Sequence, residues 1–155
     1  MEFINYFFAS IISFLGLAAG ILLIKIAPEE QKPLKKYFEI CRKSILILIF
    51  LFAILNFYKN SVYLVITIAY GLFVFFVEYS LKDQMKKSII SYGLFGILFY
   101  LSSKNQIFFL IESSLIFIYG IAAASLLYTK KENNRYKLIF YNTGFILLAN
   151  LLYLI

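Results

Sequence analysis

YGIAAASLLYTKKENNRYKLIFY, residues Tyr119–Tyr141, decides how the chain is read, because YGLFVFFVEYSLKDQMKKSIISY, residues Tyr70–Tyr92, follows the same plan 49 residues earlier without a gap. Each is an apolar helix, a basic turn and a second apolar helix. The offset pairs Tyr70 with Tyr119, Gly71 with Gly120, Tyr79 with Tyr128, Lys82 with Lys131 and Tyr92 with Tyr141. It also matches Ser80/Thr129, Asp83/Glu132, Gln84/Asn133 and Lys86/Arg135 by chemistry. Polar matches within a turn resist chance better than matches between apolar helices, whose alphabet is small. The hairpin reads as a repeated unit, and GLAAGILL from Gly16, like GIAAASLL from Gly120, precedes a basic turn, which extends the repeat to the first hairpin.

Composition sets the solvent. Of 155 residues 63% are hydrophobic, with 18 Phe and 13 Tyr, and the mean hydropathy is +0.86. Soluble domains do not carry apolar runs this long and frequent, because the exposed patches would associate. The charges cluster in short turns between those runs. The expected fold is therefore an all-α integral membrane protein of six transmembrane helices: one domain, 1–155, made of hairpins at about 3–58, 61–103 and 106–155. An even number of helices returns the chain to the same side, so the hairpins are parallel repeats about an axis along the membrane normal.

The first helix is expected over about Phe3–Ala27, stopped by Pro28, and it reads as a membrane span rather than a cleavable signal, since Glu2 supplies no positive leader. Pro33 suits the first position of a second helix that reaches Tyr58. The remaining helices are expected at Ser61–Leu81, Ser88–Ser102, Gln106–Tyr128 and Tyr136–Ile155. The fourth spans only about 23 Å, so it calls for bilayer thinning or for extension into its flanking turns.

The net charge of +7 would point to nucleic acid in a soluble protein, but here topology accounts for it and no nucleic-acid partner is expected. Lys25, Lys32, Lys35, Lys36, Arg42 and Lys43 surround the first turn, Lys82, Lys86 and Lys87 the third, and Lys130, Lys131, Arg135 and Lys137 the fifth. Only Lys59 and Lys104 of the 15 basic residues fall in the alternate turns. Positive residues stay inside, which predicts a multi-pass protein of the cell membrane with cytoplasmic basic turns and both termini extracytoplasmic. Those turns would hold anionic lipid headgroups. Cys41 falls at the headgroup level, as an unmodified thiol or, alternatively, a palmitoylation site.

Small residues mark packing faces. Gly16 and Gly20 form a GxxxG pair, read as a seam inside the bundle or, alternatively, between two copies. Gly71 and Gly120 are the equivalent helix-packing positions of the other hairpins.

Ionisable residues at membrane depth are the functional candidates. Glu112 lies roughly 9 Å inside the fifth helix. Asn150 reaches a comparable depth from the antiparallel sixth, and Ser113, Ser114, Asn56, Tyr63 and Ser10 fall in the same outer half, together outlining a polar pocket open to the outside. Glu112 is expected to be protonated and hydrogen-bonded to Asn150 or a tyrosine, or to bind a cation transiently. Glu78, nearer the basic end and four residues before Lys82, is expected to form an i,i+4 ion pair with it or to snorkel toward the interface.

With no His and one Cys the chain lacks the common structural zinc sites, an intrachain disulfide and a nucleophile with its base, so neither metal, cofactor nor enzymatic activity is expected. The plan of three two-helix repeats resembles that of the mitochondrial carriers, but only APEEQK in the first turn offers their Pro with acidic and basic residues, and the chain is not assigned to them. Two functions fit: a non-catalytic subunit or scaffold that packs with a membrane partner or as a homo-oligomer, and a small transporter or channel using the pocket at Glu112. Two Pro and seven Gly provide few helix breaks, which leans toward the subunit.

Overall fold

The computed structural model describes residues 2–127 and 132–155, the backbone alone at 132–135. Among these residues every element is helical: α1 (Phe3–Ile26), a 3-10 turn (Pro28–Glu30), α2 (Gln31–Phe57), α3 (Ser61–Ser80), α4 (Gln84–Ser102), α5 (Gln106–Leu127), α6 (Glu132–Asn142) and α7 (Gly144–Leu154). Four stretches are long and apolar enough to cross a membrane: α1, α3, α5 and the run Tyr136–Leu154 through α6 and α7. That is fewer than the six expected. α2 carries Lys32 to Lys43 on its first turns and is free of charge only from Ser44, while α4 opens on Lys86 and Lys87 and is diluted by Ser88, Ser91, Gly93 and Gly96.

The turns are written locally. Asn60 caps α3 by accepting from the Tyr63 amide at 3.3 Å, Asp83 caps α4 by accepting from Met85 at 2.9 Å, and Asn105 accepts from Ile107 at 3.2 Å where α5 begins. The Asp83 cap moves the start of α4 four residues before the expected Ser88. It reaches 19 residues, roughly 28 Å, by the extension its length demanded. Pro28 leads the 3-10 turn, and Pro33 sits inside the first turn of α2 rather than at its first residue, still where the amide needs no intrahelical partner. The expected single last helix is interrupted at Thr143, whose amide and hydroxyl both turn back to the Phe140 carbonyl, before Gly144.

Side-chain pairs give the directions. Phe3 meets Tyr153 and Tyr6 bonds to Ala149, so the two termini share one end of the bundle and α1 is antiparallel to α7. Arg42 with Glu78 and Phe57 with Tyr63 set α2 against α3, and Lys87 with Glu78 and Lys104 with Tyr63 set α3 against α4. Gly16 faces Phe117 and Gly20 faces Ile121, which makes α1 and α5 parallel. Successive segments therefore alternate in direction between a terminus end and a basic end.

Helix α5 is the centre, with its most extensive contacts to α1, then α2, then α4; α3 lies at the edge against α2 and α4. A Cβ on Gly16 would fall 2.0 Å from the Phe117 carbonyl oxygen, and one on Gly20 2.4 Å from that of Ile121. The GxxxG pair is thus consumed inside the chain, and the alternative of a seam between copies does not hold for these glycines. Gly120 faces the same contact from α5, Gly71 rests on the Phe50 ring, and Gly96, not singled out in the sequence, lets α4 approach α7 with Phe145 O 3.0 Å from where its Cβ would be. With lipid tails as apolar as leucine, this close backbone approach is what holds such helices together.

The packing does not follow the repeat expected from the sequence. The α1–α5 contact has no counterpart of its size joining α3 to α1 or α5 to α3. Tyr119 is fully buried where its match Tyr70 is half-buried, and Tyr92 is fully buried where Tyr141 is exposed. The matched positions Tyr128, Thr129 and Lys131, together with Lys130 and the side chains of Glu132, Asn133 and Arg135, lie outside the described residues.

Candidate intramembrane site

One face of α5 carries Phe109, Glu112, Ile116 and Tyr119 at helical spacing, all buried. Phe109 packs on Tyr6 of α1 (5.8 Å between ring centroids) and Phe99 of α4 (4.7 Å). Nearly three turns further along, Tyr119 packs edge-on against Phe95 (4.8 Å) and Tyr92 (5.9 Å). Glu112 lies between these two aromatic layers, 1% exposed, and neither of its carboxyl oxygens has a hydrogen-bond partner among the described residues.

The expected pocket does not assemble as written. Asn150 donates to Ser10 Oγ at 3.0 Å and to the Ile146 carbonyl at 2.8 Å, so α7 is tied to α1 instead of to Glu112. Ser113 and Ser114 return their hydroxyls to the Leu110 carbonyl, at 3.0 and 2.8 Å. Both line an apolar groove of about 440 Å³ between α1 and α5 to which Glu112 contributes nothing. Tyr63 sits against Phe57 at the terminus end, its hydroxyl accepting from Lys104 at 3.2 Å, and Asn56 is half-buried near the end of α2. A separate cavity of about 300 Å³ at the terminus end is lined by Glu2, Asn5, Ser103, Lys104 and Gln106. Gln106 begins α5, roughly 9 Å along the axis from Glu112, with Phe109 between them.

At the basic end the structure builds a charge cluster that the sequence reading missed. Arg42 of α2, 2% exposed, pairs with Glu78 of α3, and Lys87 of α4 reaches the same carboxylate at 3.3 Å and also donates to the Glu78 carbonyl. Glu78 is therefore matched across helices and not with Lys82, whose position lies in the turn beyond the end of α3. Burial explains the choice, because a carboxylate inside the bundle gains more from charges that are also desolvated than from one in water. The only signal in sequence was that Glu78 is the sole charged residue of α3. Nearby, buried Ser88 donates to Asn142 at 3.0 Å, which links α4 to α6. Outside the apolar zone, exposed Glu39 pairs with Lys43 at 2.8 Å, and that ammonium holds its carboxyl below the usual range.

Comparison with protein-family models, with curated proteins and with solved structures finds no match to this chain. The residues alone define the site: a lone, enclosed acid on the central helix of an apolar bundle.

Proposed function

We propose that the chain is a non-catalytic, multi-pass protein of the cell membrane that carries a proton or small cation through an occluded site at Glu112. The carrying observation is that neither Glu112 carboxyl oxygen has a hydrogen-bond partner among the described residues. An acid retained for packing would hold an interhelical hydrogen bond, and the donor best placed to supply one, Asn150, is committed to Ser10. Purified protein in proteoliposomes should pass the ion, and Glu112→Gln should abolish flux while leaving the fold intact. Unchanged flux would remove Glu112 from the mechanism.

In this reading six segments cross the bilayer, α1 to α5 and the joined α6 and α7, because α2 and α4 run between the same two ends as their neighbours. Both termini are extracytoplasmic, since Lys25, Arg42, Lys82 and Lys87 gather at the opposite end, where anionic headgroups are the natural lipid partners. Cys41 is exposed near that end. A maleimide unable to cross membranes should label it only from the cytoplasmic side; labelling of intact cells from outside would invert the topology.

A second reading, a subunit or scaffold, is favoured by α3. Only 22% of its apolar window is buried, against 44% for α1 and α5. Extraction in a mild detergent with a C-terminal tag, followed by mass spectrometry, should return the chain with lipid alone if it is a carrier. A stoichiometric partner would support the subunit.

A further inference from the structure

Resting on the reading of Glu112 as the transport site, we propose that its occupant is a proton rather than a metal cation. The donor set decides this. A desolvated sodium, potassium or calcium ion needs a shell of several oxygens, supplied by carboxylates, carbonyls or hydroxyls at close range. Around Glu112 the α5 face presents Phe109 and Ile116 at one turn on either side, and the layers beyond are the rings of Tyr6, Phe99, Tyr119 and Phe95. Ser113 and Ser114 bond to their own helix and line the groove between α1 and α5. Asn150, its amide nitrogen held by Ser10 and Ile146, keeps a single unpartnered oxygen, Oδ1, which falls well short of such a shell. Among the described residues no three His, Cys, Asp or Glu side chains come together.

A proton needs only the carboxyl group. Bound, it removes the charge that an enclosed apolar site disfavours most strongly. The buried titratable groups on the elements packed against α5 are Tyr6 on α1, Arg42 on α2, and Lys87 and Tyr92 on α4, with Tyr119 on α5 itself. The two cations are drawn to Glu78 at the basic end, and phenols are uncharged at neutral pH, so none of these replaces the proton as counter-charge. Glu112 itself is only 1% exposed. The terminus-end cavity with Glu2 and Lys104 is separated from Glu112 by the layer of Tyr6, Phe99 and Phe109.

Dicyclohexylcarbodiimide, an apolar reagent that modifies protonated carboxyl groups within membranes, tests the assignment directly. The acid adds across one C=N bond, its oxygen bonding to carbon and its proton passing to nitrogen. Full-length protein in lipid vesicles is treated between pH 6 and pH 10 and the adduct is mapped by mass spectrometry, with sodium or potassium as competitor. Labelling at Glu112, absent in Glu112→Gln, retained in Glu112→Asp and falling about tenfold per pH unit once the acid ionises, is the expected result. Protection by sodium or potassium at constant pH would overturn the proton in favour of a metal cation. Absence of label at Glu112 in folded protein, or labelling indifferent to pH, would also overturn it. Flux is scored separately: label without flux leaves the proton site standing and removes the carrier, whereas flux without label removes the proton site and leaves the carrier.

Discussion

The Tyr6 hydroxyl donates to the Ala149 carbonyl at 2.9 Å, joining the first helix to the last across 143 residues. It leaves the Tyr6 ring in contact with Phe99, Phe109 and Tyr153, so one side chain both closes the bundle and forms part of the aromatic layer between Glu112 and the terminus end. Tyr6→Phe keeps the ring and loses the bond, and should lower stability by about 1 kcal/mol. Tyr6→Ala opens a cavity and should cost about 3 kcal/mol or more. Unfolding in mixed micelles with a denaturing detergent measures both, and the gap between them is the ring's contribution.

The α1–α5 seam predicts a contrast between two glycines. Gly16→Ala places a methyl against the Phe117 carbonyl and must push the two helices apart, costing about 1–3 kcal/mol as an overpacked core does. Gly93→Ala meets only Leu148 Cδ1 at 4.0 Å and should be neutral or gain up to about 1 kcal/mol from helix propensity. Thermal melts of the two variants in the same detergent check the order, and equal loss would place the seam elsewhere.

Glu78 is the shared counter-ion of two buried cations. Glu78→Ala leaves Arg42 and Lys87 uncompensated inside the bundle, with an expected loss of about 3–5 kcal/mol. Lys82→Ala, which the sequence alone would have made equivalent, should stay within about 0.5 kcal/mol of the parent. Expression level and melting temperature of the two variants discriminate the cross-helix pair from a local one.

Ser88 and Asn142 supply a smaller link between α4 and α6. A double-mutant cycle with Ser88→Ala and Asn142→Ala should return a coupling of about 0.6 kcal/mol, the usual worth of such bonds in a bilayer. Asn142 also bonds the Leu138 carbonyl at 2.7 Å within its own helix, so its single variant should cost more than that of Ser88.

The helices themselves were legible, because apolar run length acts locally; the start of α4 was not, because the Asp83 cap draws the basic residues Lys86 and Lys87, read as a turn, into the helix. The break at Thr143 was not, since no proline marks it and the turn-back of a threonine hydroxyl competes only weakly with helix. Glu112 stood out as a charge at depth. Its lack of partners was illegible, since a depth estimate puts Asn150 alongside without saying that it turns toward Ser10.

By itself the sequence determined the solvent, the helical class, the alternating charge of the turns and the positions of the small-residue faces, all of which follow from composition and spacing along one segment. Tertiary structure alone decided that Gly16 meets Phe117 and not a second copy, that α5 takes the centre while its sequence counterpart α3 takes the edge, and that Glu78 serves Arg42 and Lys87. Helical periodicity states which side chains share a face. Which face meets which is settled by the fit of every helix to all the others at once.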